Sequence, residues 1–305
     1  MTQLESRHAL DFALLGAPKC GTTSVADALD STPGVSIIQP KDAHVWLRAA
    51  TPVNPVSPYE QRIILPRYEF AASTYEAELA SLPTGNLAGE AGVFYMHDPL
   101  CTIANGLREG GRVIVMLRRP DDRAYSAYSH LKRDGWEDLD FEDALAAEES
   151  RVSEGRDPLW QYRALSMYAD ALERLYDQFG RQRVWVGLYE ELANSPDELA
   201  RSLGSFLDVQ MTNSSIPVSN RGGSPRSSTM QRFMNRPSGF KEILKAPIPR
   251  RTRAKIRRVA VRANLRPYDA MRPETRKRLL ADFSADIART AKLIGRDLTH
   301  WRDAP

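Results

Sequence analysis

The run GAPKCGTTS, Gly16 to Ser24, follows the apolar stretch Leu10 to Leu15 and precedes Val25, Ala28 and Leu29, which share one helical face before Pro33 and Gly34. A compact apolar run ending in Gly and Pro reads as a buried strand entering a turn, and Thr22, Thr23 and Ser24 are good helix-opening residues. Strand, glycine-containing loop and helix follow in that order. Backbone N–H groups at the positive end of a helix, hydroxyls and a lysine gather there, a set suited to holding a phosphate. A nucleotide triphosphatase places its lysine directly after the second glycine. Here Thr22 follows Gly21, and the lysine is Lys19.

Outward from that loop, Val35 to Ile38, Leu87 to Ala91, Arg112 to Leu117 and Val184 to Leu188 read as further strands. Helices are expected from about Asp98, from Pro120 through Leu131, from about Tyr162 to Phe179, and from Pro273 to Ile294 with Gly295 as its stop. The acidic run Glu137 to Glu149 reads as an amphipathic helix with a solvated face. Strands alternating with helices imply a mostly parallel sheet with helices on both faces, an α/β three-layer fold of the P-loop NTPase kind. One domain over 1–305 is expected, with an irregular proline-rich excursion at about 51–66 and a loop at Asn213 to Ser228.

Composition narrows the function classes. At 305 residues, with 42% hydrophobic and 27% charged residues, the chain is neither disordered, collagen-like nor a coiled coil. A net charge of +3 is too balanced to imply nucleic-acid binding. Lys241 to Arg278 holds fourteen Lys and Arg against three acids. It reads as a solvated helical face, or as a surface for anions or a membrane. Cys20 and Cys101 form no disulfide framework or zinc pattern, and a metal site is not expected. With no targeting or spanning segment in view, a cytoplasmic location is expected.

A second constellation is RRPDDRAYS. Arg118 ends a strand at the edge where open parallel sheets bind ligands, and Ser126 lies eight residues on, two turns into the next helix. A P-loop kinase usually has a magnesium-holding Asp at that strand end. Arg118 instead supplies positive charge to the site, or pairs with Asp121 or Asp122.

With PKDAHVW at Pro40 to Trp46, GEAGVFY at Gly89 to Tyr95, YEEL at Tyr189 to Leu192 and the closing DLTHW, these motifs make the chain resemble sulfotransferases that use 3′-phosphoadenosine 5′-phosphosulfate (PAPS), especially bacterial members related to heparan sulfate sulfotransferases. The resemblance implies that Lys19, Cys20, Gly21, Thr22, Thr23 and Ser24 hold the 5′-phosphosulfate, and that Arg118 and Ser126 hold the 3′-phosphate. It further implies Tyr189 near the adenine and Arg226 in a loop closing over the donor. Lys19 would neutralise the departing bridging oxygen, without a metal, leaving adenosine 3′,5′-bisphosphate (PAP) as product. For the base, the resemblance points to Asp42, with Glu90 as rival. His44 is a third candidate because imidazole titrates near neutrality. Bland roles stand beside these: Asp42 as a cap for a helix starting at Ala43, Glu90 as an ion-pair partner of Lys41 or Lys19, and His44 as a hydrogen-bonded structural residue.

Three functions compete on this reading. One is sulfuryl transfer to a hydroxyl or amine of a small molecule or glycan. The others are ATP-dependent phosphoryl transfer and nucleotide binding without catalysis.

Overall fold

Five parallel strands, β1 (Leu10–Gly16), β2 (Val35–Ile37), β3 (Leu87–Ala91), β4 (Leu107–Leu117) and β5 (Val184–Leu188), form the central sheet in the order β2-β3-β1-β4-β5. The computed structural model describes residues 9–42, 44–50, 56–211, 224–225, 265–266 and 270–303. β1 lies at the centre and, apart from Asp11, is buried along its length. A strand covered on both faces must be apolar almost continuously, which is why Leu10 to Leu15 shows no alternation. Gly89 lets β3 close on it, since a Cβ there would stand 2.1 Å from the Phe12 ring.

Around the sheet pack α1 (Thr22–Asp30), α2 (Val45–Ala50), α3 (Leu65–Ser81), α4 (Pro120–Asp134), α5 (Phe141–Ala146), α6 (Glu148–Ser153), α7 (Ala169–Phe179), α8 (Tyr189–Asn194), α9 (Pro196–Leu207) and α10 (Pro273–Ile294). β2 and β3 lie to one side of β1 and β4 and β5 to the other, so the order of strand addition switches sides at β1. The C-terminal ends of β1 and β4 form the sheet edge at which such folds take ligands. None of the described helices is long and apolar enough to cross a membrane.

Several expected elements differ. No helix starts at Asp98; its carboxylate instead accepts from the Leu100 and Thr102 N–H groups and holds a short 3-10 turn at Thr102–Asn105. The expected helix from Tyr162 is broken before α7. Arg123 draws the Tyr162 carbonyl to 2.6 Å, and Asp286 of α10 takes the Tyr168 and Ala169 N–H groups at 2.8 and 3.0 Å. Glu137 to Glu149 is not one solvated helix. Glu137 is buried against Arg151 and Tyr162, and Glu148 accepts from the backbone of Arg163 and Ala164.

The proline-rich excursion is shorter than expected, because a π-helical turn at Glu60–Ile64 leads directly into α3. Pro66 sits in the first turn of that helix, where its missing N–H costs nothing. Residues 51–55, most of the loop from Asn213 and most of the basic segment from Lys241 lie outside the described residues.

Candidate active site

The loop between β1 and α1 needs its glycines. Gly16 has φ 133°, and a Cβ there would stand 2.4 Å from the Val93 carbonyl oxygen. Gly21 has φ 86°, and a Cβ there would meet Leu192 at 2.5 Å and the Tyr189 ring at 3.3 Å. Left-handed backbone and close approach both demand glycine. Gly21 is also the N-cap of α1, with no side chain capping it, so the first-turn N–H groups at Thr22, Thr23 and Ser24 face the loop. Thr22 and Ser24 are buried and Thr23 is half-buried.

Cys20 turns into the core, its Sγ 3.9 Å from the Tyr168 hydroxyl. Burial pushes its thiol up to about 11, so it stays protonated at neutral pH. Any role in holding a ligand falls to its backbone. Lys19, also in left-handed backbone, is half-buried. Burial, and then the charge of Arg133, bring its ammonium down to about 8.

Arg118 leaves the end of β4 and meets this loop. Its Nη1 lies 3.5 Å from the Lys19 carbonyl oxygen, and its guanidinium lies 4.4 Å from the centroid of the Tyr189 ring. Tyr168 donates to the Arg118 carbonyl at 2.8 Å. The expected alternative, a pair with Asp121 or Asp122, is occupied by other residues. Arg119 donates to Asp121 at 2.8 Å, and Arg276 pairs with both acids. Ser126 is half-buried two turns along α4, and Tyr189 opens α8 directly after β5. Arg226 lies outside the described residues.

Of the three candidate bases, Glu90 and His44 are closed off. Glu90 is 5% exposed and accepts from the Tyr75 hydroxyl at 2.8 Å and the Tyr95 hydroxyl at 2.6 Å. Burial raises its carboxyl to about 7, the two tyrosines opposing the rise. Lys41, one expected partner of Glu90, pairs with Asp27. His44 is 4% exposed, stacks on Phe94 at 4.9 Å, and accepts at Nε2 from the Phe94 N–H at 3.2 Å.

Asp42 is half-open to solvent. Its Oδ1 accepts from the Val93 N–H at 3.3 Å, and the Val93 carbonyl faces Gly16, so one residue touches both the acid and the loop. Asp42 does not cap a helix from Ala43. α2 starts at Val45, and the His44 carbonyl accepts the first helical bond from Arg48.

The sequence reading missed the last turn of α4. His130, Arg133 and Asp134 all lie within electrostatic reach of Lys19. The signal was spacing: His130 and Arg133 lie four and seven residues after Ser126, on the same helical face.

The model of the sulfotransferase domain family matches residues 10–221. A crystal structure of a sulfotransferase from Alicyclobacillus acidocaldarius is similar to this chain at 30% identity and TM-score 0.74, covering 98% of this chain and 100% of its own. Weaker likenesses include the sulfotransferase domain of the Synechococcus PCC 7002 olefin synthase, at 16% identity and TM-score 0.46 over 72% of this chain and 81% of that one. Another is a mouse sulfotransferase complexed with PAP, at 17% identity and TM-score 0.41 over 75% of this chain and 67% of that one. Comparison with curated proteins returned no match. The chain belongs to the sulfotransferase family and is a sulfotransferase enzyme. Sulfuryl transfer thereby displaces the phosphotransferase and non-catalytic readings.

Proposed function

We propose that the enzyme takes its sulfuryl group from PAPS and passes it to a hydroxyl or amine, with Asp42 as the base. The observation that carries this reading is the meeting of Arg118 with the Lys19 loop and Tyr189. Two phosphates at opposite ends of a nucleoside need two separate cationic sites. The α1 N-terminus with Lys19 suits the 5′ end, Arg118 with Ser126 suits the 3′-phosphate, and the Tyr189 face suits the adenine. A guanidinium offers a fork of donors matched to phosphate oxygens. Arg226 belongs to the same proposal as a contact over the donor.

In the transfer, a new bond joins the acceptor oxygen or nitrogen to sulfur while the bond from sulfur to the bridging oxygen breaks. Lys19 offsets the charge that develops on the departing phosphate, which a preorganised cation does without reorganisation. The acceptor proton passes to Asp42, the candidate base left open to solvent. The acceptor is a small molecule or glycan. The basic segment from Lys241 would suit an anionic one, or a membrane surface presenting it.

Thermal unfolding with added nucleotides tests the donor. PAP without magnesium should raise the midpoint and ATP with magnesium should not; the reverse order rejects the reading. In an acceptor screen with labelled PAPS, Lys19→Ala is the blank. Asp42→Asn should lower kcat by about 10²-fold or more with PAP affinity unchanged. Full turnover by Asp42→Asn removes it as the base.

A further inference from the structure

The last turn of α4 carries a polar cluster of His130, Arg133 and Asp134. Arg133 donates through Nε and Nη2 to the Asp134 carboxylate at 2.8 and 3.2 Å, and through Nη2 to His130 Nδ1 at 2.7 Å. A guanidinium only donates, so Nδ1 must be the accepting nitrogen and the ring proton must stand on Nε2. Asp134 Oδ2 lies 3.9 Å from the same Nδ1, too far to compete for it.

The His130 side chain keeps 27% of its surface open. Among the described residues none accepts a hydrogen bond from its Nε2. Burial, and then the Lys19 charge, hold the imidazole down to about 3, so it is neutral at physiological pH. A neutral ring with its proton on Nε2 cannot act as a base there. It can only donate.

We propose that the His130 Nε2–H is an uncharged donor to the sulfonate oxygens of PAPS beside Lys19, with Arg133 setting its tautomer and Asp134 holding Arg133. This rests on the PAPS reading above. Uncharged donation suits the chemistry. If sulfuryl transfer is as loose as phosphoryl transfer, negative charge moves from the transferred group to the leaving oxygen. A full cation on the sulfonate would hold the ground state too well, whereas a neutral N–H orients the group with less penalty.

The test compares PAPS with PAP, which differ only by the sulfonate, by calorimetric titration of the intact chain. Wild type should bind PAPS more tightly than PAP. His130→Ala should weaken PAPS about tenfold and leave PAP within about twofold. His130→Gln should recover most of the loss, because its amide can accept from Arg133 and still donate outward.

Equal weakening of both nucleotides, or no change in either, overturns the proposal. Nitrogen NMR of His130 adds a second readout: a proton on Nε2 at pH 7 is expected, and one on Nδ1 overturns the assignment. If wild type binds neither nucleotide, the donor reading itself has failed. If Lys19→Ala loses the preference for PAPS and His130→Ala keeps it, only the His130 proposal has failed.

Discussion

The Arg118 guanidinium stacks 4.4 Å from the centre of the Tyr189 ring and reaches toward the Lys19 carbonyl at 3.5 Å, so β4, β5 and the loop after β1 converge on one side chain. Stacking on an aromatic face and directional donation are properties of arginine that lysine does not share. Arg118→Ala should weaken PAP binding by about 1.5–3 kcal/mol, or roughly 10- to 150-fold. Arg118→Lys should recover less than half of that in free-energy terms. Titration calorimetry reads both, and unchanged affinity in Arg118→Ala places the 3′-phosphate elsewhere.

Glu90 should show itself through pH dependence of stability rather than through turnover. Its carboxyl rises from an ordinary 4.5 to about 7 on folding. Below about 4.5 it is protonated in both states. Between there and about 7 the folded chain keeps a proton that the unfolded chain has lost, so this contribution to stability falls as pH rises across the window. At its steepest one proton amounts to about 1.4 kcal/mol per pH unit. Glu90→Gln should flatten urea-unfolding stability between pH 4.5 and 7 while sulfuryl transfer persists. A transfer rate cut a hundredfold in a folded Glu90→Gln enzyme would instead make Glu90 the base.

Trp301 supports the site from behind. It is 1% exposed, donates through Nε1 to Glu190 at 2.7 Å, and packs edge-on to Tyr168 with ring centres 6.3 Å apart. Tyr168 in turn holds the Arg118 carbonyl and faces Cys20. Trp301→Ala should cost about 3–5 kcal/mol, and Trp301→Phe about 1 kcal/mol through the lost hydrogen bond. Both should weaken PAP binding, because Glu190 adjoins Tyr189. An unchanged unfolding midpoint in Trp301→Ala would show that this packing carries no stability.

What could be read from the sequence was local. The β1–loop–α1 unit is contiguous, and Arg118 announces itself by standing where a strand pattern ends. Long-range contacts decided the rest. Nothing near Tyr162 signals that Asp286 of α10 will take two N–H groups and end the preceding turn. Glu90 reads as a partner for a lysine in sequence, whereas Tyr75, arriving from α3, and Tyr95 donate to its two oxygens. His44 reads as a candidate base in sequence, whereas its Nε2 accepts from the Phe94 N–H. The α4 cluster was legible in spacing, but its tie to Lys19 exists only once α4 packs beside the loop.

Assembly of the site waits on the Trp301 contact. A chain still emerging from the ribosome can form the sheet and the glycine loop, yet Tyr168 lacks its backing and Glu190 its indole until residue 301 is free. The candidate site therefore depends on a residue far along the chain, and cleavage between Ile294 and Trp301 would strip Tyr168 of its backing and Glu190 of its indole.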